Sequence, residues 1–447
     1  MTPPSALQAR PANRGPTGVG LVSTKRFVSA GPGTEVEAEA ETRRRQNKRA
    51  GRYTMQRAVA KLLPQGNGVS KCQARSLPDG NGGHREIEVK KVDGSAYLNG
   101  VLSCGSVWMC PLCSPKILVR RAADIDVIME VAKKRRATVL FVTLTCRHHA
   151  FDSPEFTVKL VSGAFGKLLR GRDWAGHTGK ERERRIEAGK PVSGGKRGDL
   201  AYIGMTRVME VNHGPNGYHP HIHAGLVFER ELTDAEILGF RLWLFDKWNQ
   251  YLASVGAKAV TWENGVDVKR WETADHLGNY VTKIGHGWSL SSELTAGDEK
   301  EARHSGHYNT AQLVRRYVEE GESEEVADVL RGMYRATKGK RMMYTSPALR
   351  KWANLGEEKS DEELANEDVQ GVGLVSLAPE LYGWLRRLWA IADVLTAAEK
   401  RGAPGIIEHC EAIGLPVILY ERECSGLDEG RAPPLPRLAF DRSRWRP

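Results

Sequence analysis

Three histidines at alternate positions, His219, His221 and His223, lie in the run Gly217–Phe228, GYHPHIHAGLVF. In an extended strand alternate side chains share a face, so the three imidazoles are expected to point the same way. Imidazole is a common ligand for borderline cations, and two on one face can clasp a single ion. A row of histidines that binds nothing is the bland reading of the same spacing. Three in register, with apolar Ile222 and residues 225–228 behind them, favour a working site.

The stretch Gly214-Pro215-Asn216-Gly217 reads as a turn between two strands, about residues 200–212 and 218–228. If Gly214 faces Gly217, then Asn212 faces His219, Glu210 faces His221 and Val208 faces His223. Directly opposed residues share a face, so Glu210 joins the histidines; a slip of one residue would turn it away. Two imidazoles and a carboxylate with open positions make a mixed site suited to Mg²⁺ or Mn²⁺ acting on a phosphate, with Zn²⁺ also open. His219 is left as a neighbour of the ion or a phosphate contact. A phosphodiester reaction also needs a nucleophile. Residues 272–284, ETADHLGNYVTKI, read as a short helix that offers Tyr280, with Lys283 three residues on along the same face. Taken alone, that tyrosine–lysine spacing is a weak signal.

Cys104, Cys110 and Cys113 form a second cluster, and the Cys-Pro-Leu-Cys half resembles a zinc-knuckle turn. A tetrahedral structural Zn²⁺ needs a fourth ligand, for which Cys72 is the best candidate, ahead of His84 and Cys146; free reduced thiols are the other reading. Cys410 and Cys424 lie far off and read as ordinary residues.

The elements that must position these groups mix strands and helices without regular alternation, which points to an α+β fold with an antiparallel sheet. Residues 1–52 read as a disordered basic arm, and 53–136 as a cysteine-containing N-terminal segment with helices over 53–63 and 114–136. Residues 137–356 form the core. It holds a buried strand over 137–146, a helix over 153–170 opened by Ser153 and Pro154, and a mobile charged loop over 174–198. After the two histidine-region strands come a helix over 233–255 capped by Thr233 with Glu236, and a strand over 260–271. Residues 357–369 read as an acidic linker and 370–447 as a small, mainly helical unit.

Lys and Arg number 66 against 55 Asp and Glu, a net charge of +11 that favours a polyanion, nucleic acid before membrane, over an indifferent basic surface. Lys338, Lys340 and Arg341, with Arg182–Arg185 and Lys196–Arg197, are the candidates for DNA-backbone contact. Exposed tryptophans among Trp108, Trp243, Trp248, Trp262 and Trp271 would stack on bases, although core packing suits Trp243 and Trp248 better. No apolar core of a secretory signal and no membrane-length run are legible, and the cysteines suit a reducing compartment, so the expected address is the cytoplasm.

Three motifs occur in order: FVTLT (residues 141–145), HPHIH (219–223) and YVTK (280–283). Together they resemble the HUH endonucleases, and more closely the rolling-circle replication initiators of small bacterial plasmids, over about residues 102–356. The resemblance implies a five-stranded antiparallel sheet with flanking helices, His221 and His223 as the metal pair, and Glu210 as third ligand. It also implies Tyr280 as nucleophile, Lys283 as its phosphate-side partner, and a structural or DNA-contact role for Thr143 and Thr145. Attack by Tyr280 on single-stranded or extruded origin DNA would leave a 5′-phosphotyrosyl link and a free 3′-hydroxyl, with host helicase and polymerase as further partners. Where some relatives carry an acidic residue one helical turn before the tyrosine, this chain has His276, so termination is open among Glu272, Asp275 and His276. Other readings are a transposase or relaxase on the same core, a histidine-triad nucleotide hydrolase, and a metal-stabilised DNA-binding protein without catalysis.

Overall fold

The computed structural model describes residues 35–271, 306–421 and 434–445. Residues 1–40 and 41–447 are separate units; all contacts given below lie within the second. The strands described are β1 (Ile87–Val92), β2 (Ser95–Asn99), β3 (Thr138–Thr145), β4 (Tyr202–Gly214), β5 (Gly217–Phe228), β6 (Val266–Arg270), β7 (Met343–Thr345), β8 (Val372–Leu377), β9 (Val417–Tyr420) and β10 (Arg437–Phe440). They form two five-stranded sheets in a mixed α+β architecture.

The first sheet has the order β6-β3-β5-β4-β7, with every neighbour antiparallel. Its centre is the hairpin β4–β5, closed by the two residues Pro215 and Asn216. Gly217 leaves the turn at a φ of 83°, and a Cβ there would meet the backbone of Ala150 at 3.0 Å, so both conformation and close approach require glycine. Gly214 pairs with Gly217, Glu210 with His221 and Val208 with His223, the register read from the turn.

One face of this sheet is apolar. Leu140, Val142, Leu144, Ile222, Ala224 and Leu226 pack there beneath helices Pro154–Arg170 and Asp234–Ser254, which contribute Phe165, Leu168, Phe240 and Leu244. Each such side chain contributes about 1.5–3 kcal/mol by leaving water. Both helices start as their sequences indicate. The Ser153 hydroxyl accepts from Phe156 N–H, with Pro154 following, and Thr233 and Glu236 close a reciprocal capping box. The opposite face carries the histidines.

The second sheet has the order β2-β1-β8-β10-β9. β1 pairs antiparallel with β8, and β8 runs parallel to β10, so segments 53–136 and 370–447, set apart in the sequence reading, share one sheet. Helices Pro379–Arg387 and Ile391–Ala412 cover it through Leu381, Leu385, Val394, Leu395 and Ala398. Among its described residues the C-terminal segment is mainly helical, as expected, and it also adds three strands to this sheet.

Other expectations also shift. The first helix runs Glu35–Leu62, so the basic run before Tyr53 is helical rather than part of a disordered arm. Residues 174–198 hold the helices Gly179–Glu187 and Gly195–Asp199. The strand expected over 260–271 is shorter, because Trp262–Gly265 form a helical turn and only Val266–Arg270 pair as β6. The acidic segment 357–369 is a packed strap. Arg121 reaches Glu358 at 3.1 Å and Asp361 at 2.9 Å, and Ser103 N–H donates to Asn366 at 2.8 Å. Its acidity answers the basic helix Cys113–Lys134 beneath it.

Glu399 ties the second sheet to the long N-terminal helix. Its carboxylate accepts from both Arg49 terminal nitrogens, from Gln46 at 3.0 Å and from Ala96 N–H at 2.9 Å. The Glu399 side chain is only 4% exposed, so removing it strands several donors. Glu399→Ala should lower the unfolding free energy by about 3 kcal/mol, whereas the paired Arg49→Met/Glu399→Leu change should recover most of that loss, as denaturant titration would measure.

Candidate metal centres

Glu210, His221 and His223 meet on the histidine face, on adjacent central strands. The His221 Nε2 lies 2.6 Å from Glu210 Oε2 and the His223 Nε2 lies 3.5 Å from the same oxygen. Ligands at right angles around an ion with 2.0–2.1 Å bonds would sit about 3 Å apart, and these two distances bracket that spacing. Side chains around the cluster aim the nitrogens. His221 Nδ1 lies 3.3 Å from the carbonyl of His219, which can only accept, so Nδ1 carries the proton and Nε2 faces Glu210. His223 Nδ1 meets the Thr143 hydroxyl at 3.0 Å, and Phe141 stacks on the same ring at 5.3 Å between centroids. Thr143 thus orients the ring of a candidate ligand, as a partner behind a metal-binding histidine would. Thr145 is buried and serves structure: its carbonyl accepts from Trp248 Nε1 at 2.7 Å.

Burial pushes the Glu210 carboxyl up, but His221 and His223 outweigh it and hold the group well below the usual carboxylate range. Burial lowers His223, partly offset by contact with Glu210. An ionised carboxylate facing imidazole nitrogens under burial is the donor set a hard or borderline dication requires.

His219 shares the face but stands beside the three-residue cluster rather than in it. Its Nδ1 lies 2.7 Å from His148 Nε2. Burial, then His221, His148 and His307, push its pKa down to about 3. His148 was not singled out from sequence. The signal was the pair His148-His149 just past β3, legible only once β3 is known to pair with β5, which leads the chain along the hairpin turn.

Tyr280, Lys283, Glu272, Asp275 and His276 lie outside the described residues. The residues that bracket them are informative. A side chain at Gly225 would strike the Trp271 ring at 2.6 Å, and one at Gly214 would strike the His307 ring at 2.5 Å. Gly225 faces Thr206 and Gly214 follows Asn212 on alternate positions, so both glycines belong to the histidine face. The chain therefore leaves the described core at one end of the metal face and rejoins it at the other.

Among the described residues a second group has ligand geometry: Cys72, Cys104, Cys110 and Cys113. The sulfurs of Cys72 and Cys113 are 3.5 Å apart, those of Cys72 and Cys110 3.6 Å, and those of Cys104 and Cys113 3.7 Å. A tetrahedron with 2.3 Å Zn–S bonds has edges of about 3.8 Å, so the four thiols fit such an ion. Cys72 completes the set. His84 is not part of it, and neither is Cys146, whose thiol burial pushes up to about 12.

Of the expected nucleic-acid contacts, Trp108, Trp248 and Trp271 are buried and present no ring to a base, and Arg241 covers the Trp262 ring at 4.4 Å. Lys338 lies over Tyr334, the Lys340 carbonyl accepts from Trp108 Nε1 at 2.8 Å, and Arg341 is exposed near Glu358. No helix among the described residues is long and apolar enough to cross a membrane.

No family model and no solved structure matches the chain. It is similar to "Protein rep" of Streptomyces lividans, 31% identical over 251 residues, which cover 48% of this chain and 53% of that protein. It is also similar to "Neomycin resistance protein" of Streptomyces cyanogenus, 34% identical over 153 residues, 31% of this chain and 33% of that protein. The chain thus spans about half or less of the curated relatives it matches.

Two outcomes follow. In metal-free protein His219 stays neutral in the fold down to about pH 3, while the unfolded chain takes up a proton below 6.5. The unfolded state then binds more protons, so stability is full above 6.5 and falls on acidification, by about 1.4 kcal/mol at pH 5.5 for this one group. Denaturant titrations with EDTA at pH 7.5 and 5.5 should show that loss reduced in His219→Gln. For the cysteine group, native mass spectrometry should find one zinc equivalent in wild type, lost in Cys110→Ser together with several degrees of melting temperature.

Proposed function

We propose that the chain is a plasmid replication initiator that nicks one strand of its origin through Tyr280. The observation that carries this reading is the Glu210–His221–His223 cluster on a sheet face that Trp271 and His307, at the two borders of the Tyr280 segment, both overlie. Similarity to a protein named rep supports the replication assignment.

In this reading the Tyr280 hydroxyl loses its proton and attacks the scissile phosphorus. The bond to the 3′ oxygen breaks, leaving the 5′ phosphate on the tyrosine and a 3′-hydroxyl to prime synthesis. Lys283 neutralises phosphate charge. A Mg²⁺ or Mn²⁺ ion held by Glu210, His221 and His223 would supply Lewis-acid polarisation of a non-bridging oxygen. Thr143 and Phe141 keep His223 aimed, and the buried cysteine group, as a structural zinc site, braces the chain between the two sheets.

Wild-type protein with Mn²⁺ should nick supercoiled DNA of the replicon that encodes it and form a covalent protein–DNA adduct on gels. Tyr280→Phe should form no adduct, and His221→Ala should nick on the order of 100-fold more slowly. Undiminished cleavage by Tyr280→Phe removes this tyrosine from the mechanism.

A further inference from the structure

The insertion between helix Pro154–Arg170 and β4 is held to the core by one side chain and closed by backbone packing. Trp174 is buried, with its ring 4.9 Å from Tyr202, 6.2 Å from Phe240 and 6.0 Å from Trp243 between centroids. Gly176 and Gly195 both take a φ of 65°, and a Cβ on Gly195 would stand 2.4 Å from Gly176 N and from the Trp174 carbonyl oxygen. Only glycine lets the two ends of the insertion meet this closely. The His177 N–H donates to the Ser193 carbonyl at 3.0 Å, and the Ser193 N–H returns a bond to His177 Nδ1 at 2.9 Å.

These contacts frame an open cleft of about 500 Å³, lined by His177, Thr178, Arg182, Ser193 and Arg197 with glycine, alanine and valine between them. The volume is that of a small-ligand site, and a nucleotide falls in the same size class. No carboxylate lines it. Three neighbouring arginines are engaged: Arg172 pairs with Glu181 at 3.0 Å, Arg184 Nε donates to the Lys180 carbonyl at 3.3 Å, and Arg185 Nε donates to the Pro191 carbonyl at 2.8 Å. The guanidinium groups of Arg182 and Arg197 have no hydrogen-bond or ion-pair partner among the described residues. Two such groups on the walls of one cleft repel each other. An anion between them removes that repulsion, and a phosphate also takes their planar, two-pronged hydrogen bonds.

The cleft is remote from the histidines. Arg197 acts electrostatically on Tyr202, the first residue of β4. About 27 Å of extended strand separates Tyr202 from Glu210. A nucleic-acid strand of roughly eight nucleotides covers that length. Cations so placed take no part in chemistry at the cluster, but they can hold a strand that runs to it.

We propose that the cleft between Arg182 and Arg197 is a phosphodiester-binding site that anchors DNA at a distance from the Glu210–His221–His223 cluster. This rests on the reading of the chain as a DNA-binding initiator and adds to it a contact outside the reacting centre.

Fluorescence anisotropy across a salt series, with labelled single-stranded and duplex oligonucleotides of about 30 nucleotides, tests the site with probes several times the required span. In Arg182→Gln/Arg197→Gln the affinity for at least one of the two should fall about tenfold, and the slope of log affinity against log salt should drop by about 1. Arg182→Lys/Arg197→Lys, which keeps both charges, should keep the slope. Arg184→Gln/Lys190→Gln removes as much charge from the same segment outside the cleft and should leave binding unchanged. Equal losses in the two glutamine pairs, or none in either, overturn the proposal. Calorimetry with thymidine monophosphate examines the other source of the same chemistry. Binding of that nucleotide lost in Arg182→Gln/Arg197→Gln, with DNA affinity intact, would make the cleft a nucleotide site and overturn the anchor. Wild type that binds neither oligonucleotide removes the DNA partner itself, and the proposed function with it.

Discussion

The register of the β4–β5 hairpin is the constraint on which the site depends. A two-residue turn sets Gly214 against Gly217, and every later pairing follows from it, including Glu210 against His221. Because side chains alternate faces, a shift by one residue would send the carboxylate into the apolar layer under helix Asp234–Ser254. His221 would then face the apolar side chain of Met209 or Val211. The glycine at 217 is thus a determinant of the Glu210–His221–His223 cluster, although it is no member of it.

Around that hairpin the two faces are kept chemically separate. One is filled by leucine, valine and phenylalanine from the two long helices. The other gathers titratable groups: Glu210, His219, His221, His223 and, from neighbouring segments, His148 and His307. Burial on this face disfavours charge on His219 and His223, while His221 and His223 stabilise charge on Glu210. The face therefore sets an ionised oxygen beside two imidazole nitrogens, a donor set that could hold a cation.

How much of this was legible beforehand depended on whether the signal was local. The hairpin was, because a Gly-Pro-Asn-Gly turn has few geometries and fixes the pairing on both sides. Helix starts at Ser153 and Thr233 were, because their caps lie within three residues of the apolar run. The choice of Cys72 over His84 rested on residue type, and Cys72 lies with the other three thiols. What escaped were partners distant in the chain. Nothing near Ile87–Val92 announces pairing with Val372–Leu377. The acidic segment 357–369 reads as a linker because composition reports its charge but not Arg120 and Arg121, which receive it. His148 escaped for the same reason, since its contact with His219 depends on β3 lying beside β5. The tyrosine motif lies outside the described residues, and only its flanks speak to it.

The second sheet draws β1 and β2 from before the histidine-bearing sheet and β8, β9 and β10 from after it, so the whole histidine-bearing sheet is enclosed in sequence between two strands that must find each other. During synthesis on the ribosome this imposes an order. Residues 138–345 contain every strand of the first sheet and can assemble as they emerge. The hairpin β1–β2 emerges first yet must wait through nearly the entire translation for β8 and β10 to appear. Until then its edge is an unclaimed template, and the nascent chain passes through a stage in which the histidine face is built but its neighbouring sheet is not.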